Sequence, residues 1–331
     1  MAKSEIPLPN VLTQRAVLSG PKRQHFLPRF YLEKFSKNGL VAVYDREANA
    51  VRLQQPINSA VIGHFYTVTD SDGRRRYDIE FILSHYESRA KPIIDKLEAK
   101  KSLDPEERSD FSIFLALCVA RTPDTVESVK GLIAELGMDF VKANFNSVDE
   151  VWKSLREDPK YVGKSDEQIT SEAELMVKMA RDGVTIKASH SWAVGGAILM
   201  GLKMAPIFAG REWVVVHRPN ERKSFITTDA PVLLTTLEPR EGNFWGLGFG
   251  NADALVTFPL TASCALLMYS NTGKLRHMQA DEGQIRQVNL AAAEMCQRFL
   301  IGRDAKLVSS LAQAANLSNT KWEPKMTRKS Q

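Results

Sequence analysis

The sequence predicts an α+β fold, and three observations carry that expectation. Strand-like segments occupy the first part of the chain, amphipathic helical periodicity fills the middle, and strand-like segments return after Gly210. Strands and helices therefore do not alternate as a doubly wound sheet would require. An apolar content of 44% over 331 residues is enough for a substantial core. The expected architecture is a small N-terminal β-meander, a central helical bundle, and a C-terminal, mostly antiparallel sheet with flanking helices. Its expected divisions are an irregular basic arm over 1–23, a single α+β domain over 24–302 (β-rich 24–73, helical 78–209, β-rich 211–302), and a terminal helix with a basic tail over 303–331.

The arm contains Pro7, Pro9, Gly20 and Pro21, which punctuate rather than propagate regular structure. After a compact opening segment, Leu40 to Tyr44, Val51 to Gln54 and His64 to Val68 have strand composition, with turns at Asn38-Gly39, Ala48-Asn49 and Ser71-Asp72-Gly73. Ile79, Ile82, Leu83, Tyr86, Ala90, Ile93, Ile94 and Leu97 then form one apolar stripe at helical spacing. Asp104-Pro105-Glu106-Glu107 marks a helix start: an aspartate cap, a proline in the first turn, and a glutamate at the reciprocal capping position. That helix buries Phe111, Phe114, Leu115 and Cys118 and ends or kinks at Pro123. Two or three more helices follow to about Arg181. Trp192 to Phe208 reads as a central helix apolar on all sides, with Gly195, Gly196 and Gly201 allowing close approach of neighbours. Strands are expected at Glu212 to His217, Ser224 to Thr228, Val232 to Thr235, Ala254 to Phe258 and Cys264 to Tyr269, with a long glycine-marked loop between Gly242 and Gly250. Asp281 to Cys296 is a helix, Arg298 to Ile301 a strand and Ala305 to Ala315 a last helix.

The net charge of +5 belongs to the ends: residues 1–23 and 321–331 each contribute +3, leaving the body near −1. Basic ends of this kind are solvated tails unless a polyanion engages them. Cys118, Cys264 and Cys296 are odd in number, distant in sequence and set among apolar residues, as buried thiols in a reducing compartment are. No secretory leader is evident, and the uncharged run from Trp192 to Leu202 is too short for a bilayer core of about twenty residues. The expected location is the cytoplasm, with no membrane partner.

The densest polar cluster is Gln24-His25-Phe26-Leu27-Pro28-Arg29-Phe30-Tyr31-Leu32. Its aromatic and aliphatic residues bury the segment, so Gln24, His25 and Arg29 need partners, and a histidine so held serves as a core hydrogen-bonding group, a general base or a metal ligand. Thr227-Thr228-Asp229-Ala230-Pro231-Val232 lies between two strands; its aspartate either closes a local turn or orients a histidine or metal. Arg121 falls three residues after Cys118 on the buried side of its helix, where a cation requires an acidic or anionic partner. Glu80 and Glu87, seven residues apart, align along one edge of the apolar stripe, either solvated or paired for acid–base or metal chemistry. His190 and His217 are isolated candidates. No phosphate-binding P-loop, His-Glu-x-x-His, paired Cys-x-x-Cys or Gly-x-Ser-x-Gly motif is present.

These segments resemble the domain-of-unknown-function family 4238. The resemblance rests on Gln24-His25-x-x-Pro28-x-x-Tyr31-Leu32 with Phe35, on Phe65-Tyr66, on Glu80 with Glu87, and on Arg121-Thr122-Pro123. It continues through Thr227 to Val232, Phe258-Pro259-Leu260 and Asn289, in family order, from Gln24 to about Gly302. Thr228 stands where that family usually has Ser, and Ala230 where it often has Asn; the aspartate is intact. The resemblance implies no activity, but it implies that Gln24, His25, Arg121, Asp229 and Glu80 form one pocket.

The functional expectation is a phosphodiester hydrolase, a nuclease in a bacterial defence or toxin setting. His25, Asp229 and Glu80 are its candidate catalytic residues. Gln24, Arg121, Arg29 and Thr228 are its candidate substrate contacts, and Asp229 and Glu80 would hold any divalent cation such as Mg or Mn. The basic tails and Arg74-Arg75-Arg76 would contact a nucleic-acid backbone. The alternative is a non-enzymatic sensor or binding module for a nucleotide, nucleic acid or protein.

Overall fold

A computed structural model describes residues 16–183, 185–236 and 246–318. The expected arm up to residue 15, the tail beyond residue 318 and the first part of the glycine-marked loop lie outside the described residues. The chain divides into two compact units, Met1–Val126 with Val194–Glu323, and Glu127–Ala193 with Pro324–Gln331.

The first unit is the α+β part. It opens with β1 (Arg23–His25), α1 (Arg29–Glu33), the hairpin β2 (Val41–Asp45) and β3 (Ala50–Gln54), then β4 (Val61–Gly63), β5 (Val68–Thr69) and β6 (Arg75–Arg76). The hairpin turns at Asn49, which adopts a positive φ of 49°, a conformation that asparagine tolerates. The third strand of the expected meander is not formed. His64 to Thr67 is a turn instead, because the Tyr66 N–H donates to the Gln24 side chain and Phe65 and Tyr66 are held by ring burial rather than by a ladder.

Two long helices follow, α2 (Asp78–Glu98) and α3 (Pro105–Ala120). The apolar stripe of α2 is buried as expected from Ile82 to Leu97. At the start of α3 the Asp104 side chain accepts from the Glu107 N–H at 2.8 Å and the Glu107 side chain accepts from the Asp104 N–H at 3.1 Å, a closed capping box. The helix stops at Ala120, and α4 (Pro123–Asn144) starts on the proline that ended it.

Most of α4 belongs to the second unit, with α5 (Val148–Glu157) and α6 (Asp166–Asp182). Its small core is Val151, Ala173 and Val177, packed by Phe145, Trp152 and Leu155. Ser165 and Gln168 close a second capping box that fixes the start of α6.

The expected apolar central helix is two helices, α7 (His190–Leu202) and α8 (Ala205–Gly210). It is not apolar-buried on all sides, since Trp192 and Leu199 are exposed. Of its glycines, Gly201 makes a close approach, because a Cβ there would collide with Ala120, whereas Gly195 faces open space. By length and composition His190–Gly210 is the one described stretch that could cross a membrane, with mean hydropathy 1.5, and 44% of its apolar window is buried.

The chain then supplies β7 (Glu212–His217), β8 (Thr227–Thr228), β9 (Leu233–Thr236), β10 (Ala254–Pro259), β11 (Cys264–Tyr269), β12 (Leu275–Gln279), α9 (Glu282–Glu294), β13 (Phe299–Gly302) and α10 (Ala305–Ala314). Strands β12-β7-β11-β10-β9 form a five-stranded sheet, antiparallel except for β12 beside β7. Strand β12 was not expected; its sequence Leu-Arg-His-Met-Gln is polar because it is a largely exposed edge. Strands β3-β2-β13-β8 form a second, antiparallel sheet, in which β13 lies between the N-terminal hairpin and β8. The three cysteines are free and buried, as expected.

Candidate functional site

Three short pieces of the first unit meet at Arg121. Strand β1 pairs with β4, placing Gln24 opposite Ile62, and the period of two turns Gln24 inward while Arg23 and His25 share the other face. Arg121 is the residue on which α3 ends, so its side chain departs from the helix terminus rather than the helix flank. Helix α2 presents Glu80 and Glu87 two turns apart.

The Arg121 side chain is 2% exposed. One terminal nitrogen donates to Glu87 Oε1 at 2.6 Å, and the other donates to the His25 carbonyl at 2.6 Å. Its Nε is buried without a partner. The Tyr66 ring lies 5.7 Å from the guanidinium, and the Tyr66 hydroxyl donates to the Arg121 carbonyl at 2.6 Å. Gln24 completes the frame: its Oε1 accepts from the Tyr66 N–H at 2.6 Å, and its Nε2 donates to Thr67 Oγ1 at 3.2 Å. A buried arginine needs hydrogen bonds of this quality, and here a carboxylate supplies one of them. Burial would by itself lower the Arg121 pKa, but the Glu87 charge reverses the shift and holds it well above the ordinary arginine value.

Glu80 is the carboxylate left over. Its Oε2 is buried with no hydrogen-bond partner, and burial pushes its pKa up to about 7, with Arg121 pulling it down and Glu87 pushing it up. Neither glutamate is the freely solvated helix-edge residue that one reading of the sequence allowed. His25 is half-buried, its Nε2 lying 3.1 Å from the Ile57 carbonyl. With Nε2–H donating to that carbonyl, Nδ1 is the nitrogen left to accept a proton. Burial lowers the His25 pKa, opposed by the Ile57 bond and by Glu87, so the ring is neutral at pH 7.

Gln24, His25, Glu80 and Arg121 are thus brought together. The other candidates make none of these contacts. Asp229, which follows β8, is fully buried, and its carboxylate accepts three backbone N–H groups: Gln297 at 3.1 Å, Arg298 at 2.6 Å and Phe299 at 3.0 Å. Burial raises its pKa to about 6 against those three donors. It braces the turn between α9 and β13; the His25 ring donates to the Ile57 carbonyl instead. Thr228 is buried in β8, where its Oγ1 accepts from the Ala230 N–H at 3.0 Å. Arg29 is exposed and pairs with Glu33 one turn along α1. His217 is bonded to His277 at 3.1 Å, and burial pushes it down to about 4. Among the described residues no group of three or more His, Cys, Asp or Glu side chains is arranged to hold a metal ion, so Glu80 and Asp229 do not join one.

Of the Arg74-Arg75-Arg76 turn, Arg74 pairs with Asp70 and Asp72, and Arg76 with Asp78. The cation that sequence reasoning passed over is Arg23, counted there as tail charge. It is exposed, and its guanidinium donates to the Ile57 carbonyl at 3.1 Å, the same oxygen that holds His25, and to Asn58 Oδ1 at 3.0 Å. The alternation of a strand, which puts residues two apart on one face, was the signal available for it.

The remaining recognised segments also meet. The Tyr31 hydroxyl lies 2.7 Å from Thr227 Oγ1 and donates to the Pro259 carbonyl at 2.7 Å, and its ring stacks on Phe258 with centroids 5.1 Å apart. Asn289 joins Ile226 N–H to the Ser224 carbonyl through its side-chain amide.

The model of the family described as Protein of unknown function (DUF4238) matches residues 23–306, most of the chain. No curated protein and no solved structure matches it. The chain belongs to the DUF4238 family.

Proposed function

We propose that this DUF4238 member is a hydrolase of phosphodiesters, a nuclease, whose proton transfers are made by His25 and Glu80. The observation that supports the reading is a pair of titratable groups displaced in opposite directions around one buried ion pair. His25 is lowered by burial and neutral at pH 7, with Nδ1 open, as a general base requires. Glu80 is raised by burial to about 7, which keeps a protonated form available near neutrality, as a general acid requires. His25 would take a proton from the attacking hydroxyl, and Glu80 would return one to the leaving oxygen. Arg23, on the same face as His25, would contact the phosphate; Arg121, being enclosed, would set the field that both titrating groups feel.

Asp229 has no role in this chemistry, since both of its oxygens are committed to the main chain. The bacterial defence setting, the cytoplasmic location and RNA or DNA as substrate are parts of the same proposal.

A binding module is the second reading, favoured by the commitment of both Arg121 terminal nitrogens to Glu87 and His25, the balance of a static polar socket. Cleavage of labelled RNA, single-stranded DNA and duplex DNA, with and without magnesium or manganese, separates the two. Activity lost in His25→Ala and Glu80→Gln, both still folded, is the expected result. Cleavage retained in both variants overturns the site, and a ligand that raises the melting temperature without turnover selects the binding module.

A further inference from the structure

A second cleft, sharing no residue with the His25–Arg121 site, lies where four separate segments of the first unit converge. It has a volume of about 710 Å³, within the range of small-molecule sites. Lys37 enters from the loop after α1, Arg222 from the β7–β8 loop, Arg286 from the first turns of α9, and Arg303 from the junction of β13 and α10. Among the described residues none of these four cations has a carboxylate within ion-pair distance.

The acids that line the same cleft are mostly engaged. Glu282 pairs with Lys223 at 2.8 Å, and Asp304 caps α10 by accepting from the Leu307 N–H at 2.9 Å. That leaves Glu221 and the Asp304 carboxylate, which keeps its charge while it caps, against four cations, an excess of two positive charges. Drawing uncompensated like charges from four segments to one concavity is unfavourable by itself, and a multivalent anion relieves it.

The floor is rigid and partly apolar. Ile285 and Leu311 are buried beneath the cleft, and Asn289 is locked by its bonds to Ile226 and Ser224. Asn289 is a family-motif residue with no part in the His25 site; here it fixes the β7–β8 loop that carries Arg222 against the helix that carries Arg286. An apolar floor rimmed by cations suits a ligand with a flat organic part and several negative charges.

We infer that this cleft binds a nucleoside polyphosphate, its phosphates between Arg222, Arg286, Arg303 and Lys37 and its base over Ile285 and Leu311. The inference stands independently of the hydrolase reading, because no residue is common to the two sites.

The test is isothermal titration of the full chain with ATP and with inorganic tripolyphosphate at low ionic strength. Saturable ATP binding is expected, weakened about tenfold or more in Arg286→Glu/Arg303→Glu. Binding should be unchanged in His25→Ala, and tighter for ATP than for tripolyphosphate. All four cations are at least partly exposed, so the double variant should keep its near-ultraviolet circular dichroism and melting temperature. Absence of saturable ATP binding overturns the inference. So does an equal loss in Lys153→Glu/Lys160→Glu, a reversal of the same charge in the other unit. Equal affinity for ATP and tripolyphosphate overturns the assignment of the floor to a base.

Discussion

Arg121 and Asp229 are both enclosed charges at the end of a regular element, and they are satisfied in opposite ways. Asp229 is held by three main-chain N–H groups, all from one turn. Such a charge is spent on architecture, because both of its oxygens face main-chain donors that would otherwise be orphaned. Arg121 is held by a side-chain carboxylate and one carbonyl, and its surroundings retain spare capacity: an unpartnered Nε, an unpartnered Glu80 oxygen and an open His25 Nδ1. The difference is that the capacity around Asp229 is filled by the main chain while the capacity around Arg121 is not, and the proposed site is placed at the second for that reason.

The largest expected effect tests the Arg121 half. Arg121→Met leaves Glu87 without its cation and the His25 carbonyl without its donor, and should cost about 3–5 kcal/mol in urea denaturation. A loss within about 0.5 kcal/mol would show that the ion pair contributes nothing and would break the comparison. Next is Asp229→Asn, which replaces one acceptor oxygen with a donor facing the 297–299 turn and should cost about 2 kcal/mol. Its activity per folded molecule should stay intact; a folded but inactive variant would move Asp229 into the chemistry.

Glu80→Gln sharpens the comparison through pH. The folded pKa of Glu80, about 7, is raised above the unfolded value. The native state therefore prefers the protonated carboxyl. That stabilising contribution is complete below the unfolded value of about 4.3 and is lost as pH rises through about 7. The substitution should accordingly raise the melting temperature at pH 8 relative to wild type and change it little at pH 4, with an effect on the order of 1 kcal/mol. Equal effects at both pH values would mean that Glu80 is an ordinary solvated carboxylate. The smallest effect is expected from Arg29→Ala, which removes an exposed pair within α1 and should change stability by less than about 0.5 kcal/mol.

Local features were legible in the sequence. The Asp104-Pro105-Glu106-Glu107 start of α3, the apolar stripe of α2 and the span of β7 all follow from rules acting within a few residues: capping, helical period and β-branched composition. The identity of Arg121 as an inward cation was legible for the same reason, since Cys118 and the helical period placed it on the buried side. Arg23 was not read, because its neighbours in sequence belong to a basic arm while its neighbour in space is the Ile57 carbonyl. Nor was β12, whose polar edge carries no alternation to detect.

By itself the sequence determined the fold class, the capped start of α3 and its stop before Pro123, the buried thiols and the set of polar residues that required partners, because each of these depends on propensity and burial along a short window. Only the tertiary structure decided which partner each one has. Placing β13 between β2 and β8 joins segments from opposite ends of the chain. That pairing gives Asp229 its three N–H donors, while the meeting of β1, α2 and the end of α3 gives Arg121 its carboxylate and leaves Glu80 Oε2 without a hydrogen-bond donor. Contacts of that sequence separation are selected by the packing of the whole core, and no local pattern encodes them.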